Sequence, residues 1–346
     1  MHVLTKNLIA VLFMIVVASL TLTRAQDLAA PQLLPITKDG KWGYINRAGV
    51  IVIAPRFNQA GEFADGVASV RVGQKWGLIN ESGIILVEPR FDSALTFSEG
   101  MAPVVTTDRK VGFVDRMGKW VIEPRFHHER TWAYDGIEKF SEGLAAVKLW
   151  DKWIYIDQTG RQAFDAKFDA AEAFVEGLAA VKVGDMWGYI DKTGAFVITP
   201  QFAYAHRFSE GLANVRRPND FESYIDRTGK SVFRTEYCFG YPYSDGWAAI
   251  EAYCDGPKLY LNRAGKVMLR TRWRFASSFY EGLAAVETVA KKGGFKYGYI
   301  NRSGKFVITP RFERAYMFSG GLARVESDGR VGYIDRTGRF IWPLTK

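Results

Sequence analysis

The sequence predicts an all-β protein built from tandem copies of one small module. Three observations support this prediction: a motif that recurs about every 35 residues, short strand-like segments inside each copy, and no convincing helical spacing in any window of about twelve residues. Of the 346 residues, 48% are hydrophobic, which excludes a disordered chain because there is ample apolar surface to bury. We therefore expect neighbouring copies to pack together and share a hydrophobic core.

Each copy is marked by a glycine that closes a Tyr-Ile-Asp/Asn-x-x-Gly element. The spacing between successive glycines ranges from 34 to 42 residues. A unit of this length buries too little apolar surface to be stable alone, so its neighbours must supply the rest of the core. The marker glycines are Gly49, Gly83, Gly118, Gly160, Gly194, Gly229, Gly265, Gly304 and Gly338.

Three short strands are predicted in each copy. The first is the K-W-G-Y-I segment, residues 41–45 in the first copy, and a turn opened by Asn46 and closed by Gly49 follows it. Such a turn fits a type I turn with a left-handed glycine, because an Asp or Asn side chain caps the turn amides. The second strand is a β-branched run, residues 50–53, that ends near Pro55, and the third is the G-L-A-A-V-K-V type, as in residues 177–183.

The complete composite K-W-G-Y-I-D-x-x-G…V-I-x-P-x-F…F-S-E-G-L-A resembles the WG repeat family, also called KWG repeats. The resemblance covers roughly residues 38–346. It implies a bacterial, β-rich repeat protein and no shared catalytic activity. The copies at about 222–275 depart most from the pattern: Glu222 and Lys258 stand at the tryptophan position, and Thr235 and Thr271 stand at the proline position.

Two arrangements of the stacked repeats are compatible with the sequence. We count nine K-W-G hairpins but only eight G-L-A strands, so the chain begins and ends on the same hairpin. Units of 34–36 residues are also short for four-stranded propeller blades, which usually take about 40 residues. These counts favour an open β-solenoid or hairpin array, with a closed β-propeller as the alternative.

The first 25 residues predict a secretory signal peptide. A short segment carrying Lys6 precedes an apolar run over residues 8–22, and cleavage is expected after Ala25. The alternative is an uncleaved membrane anchor. We predict a linker at 26–37 and a repeat domain of about eight and a half to nine repeats at 38–346. The mature chain is then expected to be exported, periplasmic or extracellular, and not an integral membrane protein.

The two cysteines, Cys238 and Cys254, both fall in the divergent sixth copy. In an exported protein they are expected to form a disulfide that offsets the packing lost with the W-G pair. The alternative is two buried free thiols.

The sequence indicates no catalytic residue, cofactor or metal site. Acidic residues recur at equivalent places in every copy, which is typical of a structural role because a catalytic pair would be needed only once. A glycosidase-like carboxylate pair remains the alternative. His127 and His128 are adjacent, and neighbours on an extended strand point in opposite directions, so they chelate one metal poorly.

Basic residues recur at two positions of the repeat, and stacking would align them as two ladders that attract polyanions. The alternative is a set of solvated turn residues near acids. The first series follows the turn Asp or Asn and comprises Arg47, Arg116, Lys192, Arg227, Arg263, Arg302 and Arg336. The second precedes the connector aromatic residue and comprises Arg56, Arg90, Arg125, Lys167, Arg272 and Arg311.

These features predict a non-enzymatic, exported repeat protein that binds a protein or an anionic cell-envelope polymer through an extended surface. The six arginines of the first series are candidate contacts, as are Arg130, Trp132 and Tyr134 in the longest insertion. Nucleic acid is not expected as a partner of an exported chain, despite the formal net charge of +9. The alternatives are a polysaccharide-active enzyme with an unrecognised carboxylate pair and a purely structural envelope component.

Overall fold

A computed structural model describes residues 33–94, 96–127, 139–237, 239–252, 256–273, 275–290 and 293–345. None of these residues lies in a helix, and the regular structure consists of antiparallel strands in nine small sheets. The predicted all-β fold of tandem repeats is confirmed. Over the same residues, no helix is long and apolar enough to span a membrane.

The sheets are numbered here in chain order, and consecutive strands are neighbours within each. Sheet 1 contains β1 (Leu33–Lys38), β2 (Lys41–Asn46) and β3 (Ile51–Phe57); sheet 2 contains β4 (Gln59–Ala60), β5 (Val67–Val72), β6 (Lys75–Asn80) and β7 (Ile85–Phe91); sheet 3 contains β8 (Ser93–Ala94), β9 (Met101–Val105), β10 (Lys110–Asp115) and β11 (Trp120–His127). Sheet 4 contains β12 (Leu144–Leu149) and β13 (Lys152–Asp157); sheet 5 contains β14 (Ala170–Ala171), β15 (Ala179–Val183), β16 (Met186–Ile190) and β17 (Phe196–Phe202); sheet 6 contains β18 (Tyr204–Ala205), β19 (Ala213–Arg216), β20 (Glu222–Ile225) and β21 (Ser231–Arg234). Sheet 7 contains β22 (Trp247–Glu251), β23 (Lys258–Asn262) and β24 (Val267–Arg270); sheet 8 contains β25 (Leu283–Val289), β26 (Phe295–Asn301) and β27 (Phe306–Phe312); sheet 9 contains β28 (Arg314–Ser319), β29 (Leu322–Ser327), β30 (Arg330–Asp335) and β31 (Phe340–Thr345).

The first strand begins inside the segment predicted as a linker. Strand β1 pairs with β2 from Leu33↔Asn46 to Lys38↔Lys41, which is the register that β5 and β6 use in sheet 2. Strand β1 is a ninth copy of the G-L-A strand, although its sequence, L-L-P-I-T-K, lacks the G-L-A motif. The predicted linker and the observed strand differ because strand pairing requires only an apolar extended segment beside β2, whatever motif that segment carries.

The predicted turn between the first two strands of each copy is confirmed. In the third copy, Asp115 Oδ1 accepts the backbone N–H groups of Met117 and Lys119, each at 2.9 Å. Gly118 closes the turn with a φ of 72°, a backbone conformation that residues with a Cβ rarely adopt. Asn46 makes the same two bonds at 3.0 Å, so an amide serves as well as a carboxylate.

The glycine of the W-G pair lies beneath a bulge in the next strand. Trp42 pairs with Phe57 and Tyr44 with Ile53, so three residues of β2 lie opposite five of β3. A Cβ on Gly43 would lie 2.5 Å from the carbonyl oxygen of Ile53 and 2.6 Å from the nitrogen of Pro55. Only glycine allows this approach, and the proline suits the bulge because it needs no ladder hydrogen bond there.

Glycine and proline are lost together in the divergent copies. Ile154, Ser223 and Leu259 replace the glycine, and Ala166, Thr235 and Thr271 stand at the proline position. In sheet 6, Ser223 pairs with Arg234 and Tyr224 with Phe233, without the bulge. Sheet 4 retains only β12 and β13 as regular strands. In sheets 6 and 7 the strands pair regularly past this position, so neither residue is needed there. In sheet 4 the partner segment still bulges, because Trp153 pairs with Phe168 while the Tyr155 carbonyl accepts the N–H of Ala163.

The hydrophobic core is divided among the sheet-to-sheet interfaces. Tyr44 and Phe57 of sheet 1 pack on Phe63 and Val70 of sheet 2, and Trp42 lies against the same cluster. Equivalent clusters join each following pair of sheets up to sheets 8 and 9. The tryptophans of the W-G pairs are thus packing residues.

A ninth cluster joins the last sheet to the first. Leu34, Ile36 and Ile45 of sheet 1 are buried against Val331 and Tyr333 of sheet 9. The hydroxyl of Tyr333 donates to the carbonyl of Pro35 at 3.0 Å, and the Thr345 hydroxyl donates to the carbonyl of Thr37. Of the two arrangements that the sequence left open, these contacts favour the closed propeller, because the terminal sheets of an open array would not share a core.

Candidate functional site

Carboxylates of the S-E-G turns join neighbouring sheets. The Glu176 carboxylate accepts the backbone N–H of Gly211 at 2.9 Å, and Gly211 opens the equivalent turn of the next sheet. The same bond recurs in consecutive sheets from sheet 2 to sheet 9, which gives the recurrent acids a structural role. The acceptors are Asp65, Glu99, Glu142, Glu176, Glu210, Asp245 and Glu281.

The first series of basic residues lies next to these acidic turns. Lys192 pairs with Glu142 of the preceding sheet at 3.2 Å, and the Arg336 guanidinium donates to the carbonyl of Glu281 at 2.6 Å. Arg116 lies 3.9 Å from Asp65, and Arg302 donates to the carbonyl of Asp245. Arg227 and Arg263 lie close to Gly177 and Gly211 of the same turns.

Contact with the turns leaves these basic side chains largely exposed. The side chain of Arg116 is 54% exposed and that of Lys192 is 47% exposed. Arg47 has no side-chain hydrogen bond or ion pair among the described residues. The structure thus brings the predicted series into one register, where acidic turns partly offset its charge.

The second basic series has a different role, which the sequence did not reveal. Arg56 donates to the carbonyl of Gly83 in the next sheet at 2.5 Å, and its guanidinium lies over the Phe57 ring. Arg90 makes the same bond to Gly118 at 3.0 Å. Arg125 and Arg311 bond to Gly160 and Gly338 in the same way. These four arginines lock adjacent sheets together.

Four turn aspartates have lowered pKa values. The Thr228 hydroxyl donates to Asp226 Oδ1 at 2.6 Å and holds the pKa of that carboxyl below its usual value. A threonine hydroxyl has the same effect on the pKa values of Asp157, Asp191 and Asp335. A group with a lowered folded pKa adds stability above its unfolded pKa and loses it as the pH falls through the folded pKa.

We expect the free energy of unfolding to fall as the pH decreases below about 4, the usual range of Asp titration. Replacing Asp157, Asp191, Asp226 and Asp335 together by Asn should flatten this dependence, because Asn46 shows that an amide keeps both turn bonds. Urea unfolding between neutral and acidic pH measures the effect. An unchanged slope in the fourfold variant would show that other carboxylates govern acid unfolding.

Buried charges replace two tryptophans in sheets 6 and 7. Glu222 is 2% exposed and accepts the backbone N–H of Gly240 at 2.6 Å, and burial raises its pKa. Lys258 is 3% exposed, pairs with Glu251, and donates to the Tyr241 hydroxyl at 3.1 Å. These substitutions keep the divergent sheets packed by polar contacts in place of an indole ring.

Several predicted residues lie outside the described part of the chain. These are Arg130, Trp132 and Tyr134 of the insertion, His128, and both Cys238 and Cys254. His127 ends β11, and its ring lies 4.9 Å from that of Trp150. Among the described residues, no group of three or more His, Cys, Asp or Glu side chains could hold a metal ion.

Comparison with known proteins gives one family and several solved structures. A family described as the WG containing repeat matches residues 42–76, 76–108, 112–128, 133–153, 155–187, 187–217, 260–288 and 297–330. No curated protein matches the chain. The unmatched stretch 218–259 contains the copy with Glu222 in place of tryptophan.

Among solved structures, the chain is similar to BamB from Moraxella catarrhalis, with 14% identity and a TM-score of 0.48 over 79% of this chain and 94% of that chain. The computationally designed Ika8 protein is 10% identical, with a TM-score of 0.49 over 88% of this chain and 99% of that chain. Sqt1 from Saccharomyces cerevisiae is 11% identical, with a TM-score of 0.47 over 92% of this chain and 100% of that chain.

Proposed function

Because the chain belongs to the family of proteins with WG-containing repeats, we propose that it is an exported, non-enzymatic scaffold that binds a protein or an anionic polymer of the cell envelope. The predicted signal peptide supports export. Repeats suit such a role because equivalent side chains of successive sheets are held at fixed spacing.

The observation that carries the proposal is the registered row of basic residues, one from each of seven sheets, of which all but the half-buried Arg47 are exposed. Rigid sheet-to-sheet contacts hold them at equivalent positions, so a polymer with regularly spaced negative groups can contact several at once. Each contact is weak because it is exposed to water and salt, and the affinity comes from their number.

We expect the mature protein to retain an anionic envelope polymer at low salt and to release it at high salt, because ions screen exposed charge contacts. Replacing Arg116, Arg227, Arg302 and Arg336 by Ser should weaken retention at low salt by about tenfold or more, since each exposed contact contributes up to about 1 kcal/mol. Equilibrium binding to immobilised polymer, with stepwise addition of NaCl, measures this effect.

A matched control removes four positive charges elsewhere on the surface. Lys38, Lys41, Arg109 and Lys139 are exposed and lie outside the row. Their replacement by Ser should change retention much less than the fourfold arginine variant does. If both variants bind equally well, the row is not the contact surface. If the unaltered protein shows no salt-sensitive retention, it does not bind such polymers.

A further inference from the structure

Two members of the second basic series, Lys167 and Arg272, form no such bond among the described residues, and Arg272 of sheet 7 is the arginine of the two. Arg125 and Arg311 each bond to the marker glycine of the next sheet. Their guanidinium groups lie 3.3 Å from where a Cβ would stand on Gly160 and Gly338, respectively. The equivalent glycine beside sheet 7 is Gly304, and a Cβ there would meet only the Leu269 side chain within 4 Å. The arginine that would fill this place, Arg272, is therefore not seated against Gly304.

The path of the chain explains why this lock is missing. Strand β24 pairs with β23 without the glycine–proline bulge, through Leu259↔Arg270 and Tyr260↔Leu269. The Thr271 hydroxyl then donates to the carbonyl of Lys258 at 2.8 Å. The bulge that precedes the arginine in sheets 1, 2, 3 and 8 is therefore absent from sheet 7.

A groove of about 520 Å³ lies where the lock is missing. Arg270, Arg272, Trp273, Lys305 and Phe306 are among the residues that line it. A second groove of about 370 Å³ shares Arg272 and Trp273 and extends toward Phe295. Each volume lies within the size range of sites for small organic ligands, about 300–1,000 Å³.

The cations of the first groove are not neutralised by the protein. Arg270, Arg272 and Lys305 are exposed, and in the described part of the chain their side chains form no hydrogen bond or ion pair. The one contact recorded for them is the Arg272 guanidinium over the Trp273 ring, 5.7 Å from its centroid. Three unpaired cations at one concave site attract an anion more strongly than a paired surface does.

An aromatic wall accompanies these charges. Trp273 stands where six other copies have Phe, and its ring meets that of Phe306 edge-on at 5.4 Å. The indole N–H forms no hydrogen bond with any described residue. An indole offers an apolar face to a sugar ring and a donor to a hydroxyl group, which a Phe at this position would not supply.

We propose that this groove between sheets 7 and 8 is a binding site for an acidic glycan, with a sugar ring against Trp273 and its negative groups on Arg272, Arg270 and Lys305. The proposal deepens the proposed function and rests on it, since it gives the anionic polymer a specific site and a chemical class. It adds a sugar-specific contact, which the row of turn arginines does not have.

Calorimetric titration of the mature protein at low salt tests the site, with tetragalacturonate as the acidic glycan, maltotetraose as the neutral one and inorganic phosphate as the bare anion. We expect tetragalacturonate to bind more tightly than either of the others. Arg272→Gln should raise its dissociation constant by about fivefold or more. Trp273→Phe should raise it by about fivefold and leave phosphate binding unchanged.

Arg90→Gln is the matched control, because Arg90 lies at the same repeat position but is bonded to Gly118. It should lower the melting temperature and leave the affinity unchanged. Trp273→Phe restores the residue that other copies carry, so it tests binding in a folded protein. The proposal is wrong if Arg90→Gln and Arg272→Gln lower the affinity for tetragalacturonate equally. It is also wrong if maltotetraose binds as tightly as tetragalacturonate, or if tetragalacturonate does not bind.

The turn-arginine variant separates this proposal from the proposed function. If envelope polymer is retained through the row while Arg272→Gln and Trp273→Phe have no effect on any ligand, the groove proposal fails alone. If the groove binds tetragalacturonate but the protein retains no envelope polymer, the proposed function fails.

Discussion

Replacing Gly77 by Ala is expected to destabilise the protein by about 3 kcal/mol or more. An added Cβ would lie 2.4 Å from the carbonyl oxygen of Val87 and 2.9 Å from the nitrogen of Pro89. Both atoms belong to the backbone, so no side-chain rotation relieves the overlap, and the bulge of β7 would have to move away from β6. Urea unfolding of the mature chain measures the loss.

Ser223→Ala provides the matched control for this prediction. Ser223 stands at the position of the W-G glycine in sheet 6, where β20 and β21 pair without the bulge. A side chain is already accommodated there, so this change should alter the free energy of unfolding by less than about 1 kcal/mol. Similar losses of unfolding free energy in both variants would contradict the link between the glycine and the bulge.

Replacing Ile36 by Asp is the second change with a large expected effect. Ile36 is fully buried in the cluster that joins sheets 9 and 1. A carboxylate placed there has no partner, and we expect a loss of about 4 kcal/mol or an unfolded chain. In an open array the same residue would lie on an end face, and an aspartate would be well tolerated.

The control for the closing interface is Ile51→Asp. Ile51 is 39% exposed on β3 of the same sheet, so an aspartate there stays in contact with water. Its cost should be about 1 kcal/mol or less. Thermal unfolding followed by circular dichroism distinguishes the two variants, and equal melting temperatures would show that sheets 9 and 1 do not depend on their shared core.

Local interactions made the repeats predictable from the sequence. The turn carboxylates bond to amides two and four residues away, so an Asp or Asn with a following Gly reports the turn wherever it occurs. The K-W-G-Y-I segment likewise marks a strand, and its Trp42 and Tyr44 side chains pack against the core. Neither inference needs a partner that is distant in the chain.

The partners of the recurrent charges were not predictable in the same way. Arg90 finds its carbonyl 28 residues later, and Arg336 finds one 55 residues earlier, and no spacing rule connects these positions before the sheets are stacked. The two basic ladders predicted from the sequence therefore have different roles. One holds neighbouring sheets together, and the other lies exposed beside acidic turns.

By itself, the sequence determined the repeat, its strands, its turns and the all-β fold, because each of these depends on residues within one copy. Only the tertiary structure decided how the ends meet, because β1 carries no repeat motif and Tyr333 reaches Pro35 across 298 residues. It also decided which arginine of the second series lacks a carbonyl partner in the next sheet, because that bond depends on how β24 pairs with β23 and not on the arginine itself.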